Sequence, residues 1–83
     1  MIRIRWSPAA AQDLEEICQH LREHHPSFVH STVRKIYEAG RSLKQFPNRG
    51  RIGSKTGTRE LLALPLPYLI VYGVTPEVIH IFE

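Results

Sequence analysis

The side chains with the most chemical capacity in this chain are cations, and they are concentrated. Eight of the eleven lysines and arginines (Arg34, Lys35, Arg41, Lys44, Arg49, Arg51, Lys55 and Arg59) fall in one stretch, where Glu38 is the one acid. Guanidinium and ammonium groups in such a run draw in an anionic partner, either nucleic acid or an acidic protein segment, through attraction that salt weakens. A solvated helix face followed by a soluble loop would use the same residue types without binding anything. The run crosses both a helical pattern and a glycine-punctuated loop, which favours a binding surface. Arg41, Lys44, Arg49, Arg51, Lys55 and Arg59 are the residues expected to meet the partner.

Other reactive groups are less well arranged. His20 and His24 lie four residues apart and would share a helix face, with His25 beside them. Zinc needs three or four converging ligands, and neither Cys18 nor a carboxylate is placed to finish that set. No metal and no other cofactor is expected. Leu14, Ile17 and Leu21 surround Cys18 on the same helical face, the setting of a small core residue. A single cysteine gives no internal disulfide framework and fits a reducing cytoplasm. The loop glycines are not followed by Gly-Lys-Ser/Thr, so they form no phosphate cradle. No run approaches the roughly 20 apolar residues of a membrane span, and no membrane partner is expected.

The elements that position these groups follow from hydrophobic period and turn residues. The chain has 83 residues, 42% of them apolar, which suits one domain over 1–83 with one modest core. Ile2, Ile4 and Trp6 alternate with Arg3 and Arg5 as a half-buried strand, and a strand so close to the start predicts no signal peptide. Ser7-Pro8 then starts a helix, serine as its cap and proline at its first position. Ala10, Leu14, Ile17 and Leu21 form its apolar stripe, and Pro26 stops it near His24-His25. Ser27 is the expected cap of a second helix with the stripe Val29, Val33, Ile36, Gly40 and Leu43, widened by Tyr37. Gly40 costs that helix about 1 kcal/mol in propensity and would let the two helices approach closely. Residues 48–57 read as a basic loop. Strands follow at Thr58–Leu64, Tyr68–Val74 and Val78–Phe82, separated by the stiff Pro65-Leu66-Pro67 and by Thr75-Pro76-Glu77. Short connections make them an antiparallel meander. The fold class is α+β, strand–helix–helix–strand–strand–strand, with a helix hairpin on one face of an antiparallel sheet.

That order of elements, together with several short motifs, resembles the RelE/ParE superfamily of toxins from type II toxin–antitoxin systems. The matching text is Trp6-Ser7-Pro8-Ala9-Ala10 with Asp13-Leu14 and Ile17, then Phe46-Pro47-Asn48-Arg49-Gly50-Arg51. Gly57-Thr58-Arg59-Glu60-Leu61 and Pro67-Tyr68-Leu69-Ile70-Val71-Tyr72 complete it. The second helix and following loop are more similar to ParE. The resemblance implies a toxin that inhibits DNA gyrase by binding and stabilises plasmids, and that is neutralised by a cognate antitoxin wrapped over its apolar and basic surfaces. Direct sequence-specific DNA binding is not expected. The same superfamily includes RelE-like endoribonucleases that cut messenger RNA on the ribosome. For that chemistry a base, an acid and phosphorane-stabilising cations must converge. Arg51, Lys55, Arg59 and His80 are the residues available, with Arg59 at the family's strand arginine, although a strand histidine and the tyrosines Tyr68 and Tyr72 read first as packing residues. Two departures stand out: the family's usual short polar tail after the last strand is missing, and Gly73 stands where an arginine often follows the strand tyrosine. Both point to a shortened, non-toxic member that retains antitoxin binding as a further alternative.

Overall fold

The computed structural model describes residues 2–64 and 66–82. Its elements run β1 (Arg3–Trp6), α1 (Pro8–His24), a 3-10 turn (Pro26–Phe28), α2 (Val29–Ser42), β2 (Arg51–Ile52), β3 (Arg59–Leu62), β4 (Leu69–Val74) and β5 (Val78–Ile81). The expected strand, helix hairpin and antiparallel meander are all present, with β3, β4 and β5 pairing in sequence. Pro65, within the expected stiff connection, lies outside the described residues.

Three features differ from the sequence-based expectation. The sheet has five strands in the order β1-β5-β4-β3-β2, because the basic loop contains a two-residue strand that pairs antiparallel with β3. β1 joins β5 in parallel, with Ile4 opposite Ile79 and Trp6 opposite Ile81, so the sheet is mixed. Chain direction makes the difference: the paired helices return the chain in β2 antiparallel to β1, and three successive reversals through β3 and β4 bring β5 back into the direction of β1. Finally, Ser27 does not cap α2. Pro26 opens the 3-10 turn that contains Ser27, and Phe28 occupies the cap position without a side-chain hydrogen bond.

Ser7 behaves as its position suggests. Its Oγ accepts from the N–H of Ala10 at 3.0 Å and donates to the carbonyl of Phe82 at 2.9 Å. The cap therefore also ties the start of α1 to the end of β5. The core sits between the hairpin and one face of the sheet, where Leu43, Tyr72, Ile79 and Ile81 are fully buried and Ile70, Leu61 and Ala10 surround them. Burying each such aliphatic side chain contributes about 1.5–3 kcal/mol. Cys18 is buried on α1, as its helical neighbours implied. Gly40 does permit a close approach, but to the sheet rather than to α1. A Cβ there would lie 3.2 Å from Ile81 Cδ1 and 3.3 Å from Trp6 Cζ2.

Candidate functional site

The chain leaves α2 at Ser42 and turns through Phe46-Pro47-Asn48-Arg49 before β2, and three groups hold this turn from below. Tyr72, fully buried on β4, accepts from the N–H of Gly50 at 2.9 Å and donates to the carbonyl of Pro47 at 2.8 Å. Arg59, its cross-strand partner on β3, donates from Nη1 to the carbonyl of Gly50 at 2.8 Å and of Asn48 at 3.3 Å. A phenol and a guanidinium thus satisfy main-chain groups that no strand or helix partner reaches. Gly50 is the third member: a Cβ there would lie 2.7 Å from the Glu60 carbonyl and 2.8 Å from the Tyr72 ring and hydroxyl. Only glycine lets the chain pass this close.

The other two arginines of the loop are engaged as well. Arg49 Nη1 donates to Ser42 Oγ at 2.8 Å, which pins the turn to the last residue of α2. Both Nε and Nη2 of Arg51 reach Oε1 of Glu60 at 3.0 Å across the β2–β3 pair. Lys55 lies exposed in the turn between β2 and β3, which is closed by Gly53 N–H to the Thr58 carbonyl at 2.8 Å, with Gly57 at φ 79°. Such a left-handed residue is where glycine costs least.

Register separates the residues that a nuclease would need together. Arg59 is opposite Tyr72, whose side chain points into the core, whereas His80 is opposite Gly73 and Arg5. Successive side chains on a strand alternate faces, so Arg59 and His80 belong to opposite faces of the sheet. His80 lies parallel to the Phe82 ring, 6.3 Å between centroids and 9° between planes. Phe82 covers Gly73, where a Cβ would approach its ring to 3.0 Å. The glycine found where the family often has arginine therefore sits under an aromatic ring.

The expected six-residue set is not one patch. Arg41 in the last turn of α2 and Lys44, two residues past its end, line an open trough of about 540 Å³ against the first strand, which Ile4, Trp6 and Tyr37 also line. Arg51 and Lys55 belong to β2 and its turn at the other end of the strand order, four strands away. Arg3, outside the expected set, lines the trough with Arg41 and Lys44. Its alternation with Ile2 and Ile4 was the available signal, since an arginine on a first strand flanks whatever that strand's apolar face meets. The period of β4 marks Tyr72 as a packing residue, and its hydroxyl's role in holding the loop has no local signature. Trp6 and Tyr37 meet edge to face in the trough at 5.1 Å between centroids. Among the described residues no group of three or more His, Cys, Asp or Glu could hold a metal ion, and no helix is long and apolar enough to cross a membrane.

Comparison with known proteins agrees with this architecture. The family profile described as "ParE toxin of type II toxin-antitoxin system, parDE" matches residues 4–83. The chain belongs to the ParE toxin family. Toxin RelE2 of Caulobacter vibrioides is 32% identical over 81 residues, covering 98% of this chain and 90% of that protein. Y4kP of Sinorhizobium fredii is 34% identical over 76 residues, covering 92% of this chain and 79% of its own length. A chain from the chromosomal ParDE TA system of P. aeruginosa superposes with a TM-score of 0.90 at 28% identity, over 100% of this chain and 92% of that one. Membership in the ParE family, within the RelE/ParE superfamily that the motifs resemble, thus stands on sequence and on fold alike.

Proposed function

We propose that this chain, as one domain over residues 1–83, is the toxin of a type II toxin–antitoxin pair, that it inhibits DNA gyrase by binding in the cytoplasm, and that a cognate antitoxin neutralises it. The observation that carries a binding mode over a cutting one is the engagement of Arg59. Its guanidinium holds the carbonyls of Asn48 and Gly50. A group fixed on main-chain oxygens of its own loop is a poor candidate for phosphorane stabilisation, and His80 on the other face is a poor candidate for its general acid. Arg51 is paired with Glu60. What remains is a loop held in one shape with Phe46 61% exposed at its start, which suits recognition of another protein's surface.

A supercoiling assay tests this. Purified protein added to gyrase and relaxed plasmid is expected to block supercoiling near stoichiometric amounts, and normal supercoiling at large excess would reject gyrase as the target. Ribosomes programmed with message are expected to show no new cuts. Cleavage that disappears in Arg59→Ala would favour the endoribonuclease instead. Induction in a bacterial host lacking any antitoxin is expected to arrest growth, whereas unimpaired growth would favour the shortened, non-toxic alternative.

A further inference from the structure

We propose that His20 and His24, near the tip of the helix hairpin, chelate one late first-row divalent metal ion, with water filling its other positions. The two lie four residues apart on α1, where successive turns stack side chains on one face. Both are exposed, and their rings already meet, with 4.5 Å between centroids and 41° between planes. With metal–nitrogen bonds of about 2.0–2.1 Å, two imidazoles bound at a right angle on one ion have ring centres about 4.5 Å apart. The helix thus holds the rings at the separation of neighbouring ligands, and turning them aims a nitrogen of each at a shared ion without moving the main chain.

The other three histidines are occupied elsewhere. His25 packs on Phe28 at 5.9 Å between centroids, His30 is 3.3 Å from Nη2 of Arg34, and His80 lies parallel to Phe82. The polar side chains of α1 bond to one another: Gln12 to Glu16, Gln19 to Glu23, and Arg22 to Glu15 and Gln19. Neither His20 nor His24 takes part, so among the described residues their nitrogens remain available. The local field also favours a cation. α1 carries the carboxylates of Asp13, Glu15, Glu16 and Glu23 against one arginine, Arg22. His24 is its last residue, at the negative end of the helix dipole. Imidazole nitrogen suits copper, nickel and zinc, whereas magnesium and calcium prefer oxygen. His20-Leu21-Arg22-Glu23-His24 also has the spacing of the H-x-x-E-H motif of zinc enzymes. Here Glu23 accepts from Gln19, and no group of three ligands converges among the described residues. The site therefore holds an ion without the ligand set of a hydrolase. An ion shared by positions 20 and 24 ties together the last turn of α1, just before the 3-10 turn at Pro26–Phe28.

Nickel chloride is the probe, titrated into the full chain in a non-coordinating buffer and followed by calorimetry. One ion per chain is expected, released by EDTA and not displaced by magnesium. The melting temperature should rise as nickel is added, since the ion binds the folded helix. His20→Ala and His24→Ala should each weaken binding at least about tenfold, because a single imidazole cannot chelate. His25→Ala and His30→Ala should leave it unchanged. A double variant, Gln19→His with His20→Gln, keeps the composition but sets the imidazoles five residues apart, off the shared face. It should bind as weakly as His20→Ala. All of these positions are exposed, and melts without metal should show each variant folded. No saturable nickel binding, an equal loss in His25→Ala, or undiminished binding in the Gln19→His/His20→Gln variant would each overturn the proposal. The measurement involves neither gyrase nor an antitoxin, so its outcome is independent of the toxin reading.

Discussion

The two ends of the sheet treat positive charge in opposite ways. Around β2 the arginines are structural: Arg49 holds Ser42, Arg51 holds Glu60, and Arg59 holds the carbonyls of Asn48 and Gly50. Around β1 the cations Arg3, Arg41 and Lys44 line an apolar trough without ion partners among the described residues. The sequence shows one basic run, yet the fold fixes its Arg49, Arg51 and Arg59 on a loop and leaves its Arg41 and Lys44 at the trough. Formal charge measures what a surface could attract, and hydrogen-bond engagement decides which of those groups remain to attract it.

That contrast is open to direct attack, beginning where the effect should be greatest. Gly50→Ala places a methyl group against the Glu60 carbonyl and the buried Tyr72 phenol, neither of which has room to retreat. A loss of about 2–3 kcal/mol is expected from such overpacking, read from the urea midpoint. An unchanged midpoint would mean that the loop is not held at all. Tyr72→Phe keeps the ring but leaves the Gly50 N–H and the Pro47 carbonyl without their hydroxyl partner. About 1–2 kcal/mol should be lost, or roughly 4–8 °C of melting temperature per kcal/mol in a domain of this size. Amide exchange at Gly50 should rise more than at Ile79, which sharpens the assignment to the loop. Smallest is the pair of exposed changes. Arg51→Ala removes an ion pair whose arginine side chain is 71% exposed, for a loss below about 1 kcal/mol. Arg41→Ala, with no pair to break among the described residues, should leave the melting temperature unchanged within error. If Arg41→Ala destabilised the chain more than Arg51→Ala, the distinction between engaged and available cations would fail.

Legibility in the sequence tracked the range of the interactions. The period-two strands, the Ser7 cap with Pro8 at the first helical position, and the stop before Pro26 are local effects, and each is found where it was expected. Tyr37 was placed on the apolar stripe of α2, yet it is 48% exposed and meets Trp6 at the trough. Helical spacing gives the direction of a side chain, whereas its burial depends on how far the neighbouring layer extends. Gly40 is a close-approach position, as its place in the stripe suggests, but it meets the sheet and not α1, because propensity says nothing about which element lies opposite. The candidate site was less legible than the fold. Its residue types were visible in the basic run, but their division between two sheet edges depends on strand order.

By itself the sequence determined the succession of elements, the apolar faces they bury, the excess of positive charge, and a family membership spread over nearly its whole length. These are properties of neighbours along the chain, set by backbone sterics, side-chain period and composition. Only the tertiary structure decided that β1 lies parallel to β5 at the sheet's end, that Tyr72 reaches Gly50 across 22 residues, and that Arg41 belongs with Arg3 rather than with Arg51. Those outcomes turn on strand pairing and on the direction in which each side chain enters the packed layers, and contacts between distant residues come into existence only when those layers close.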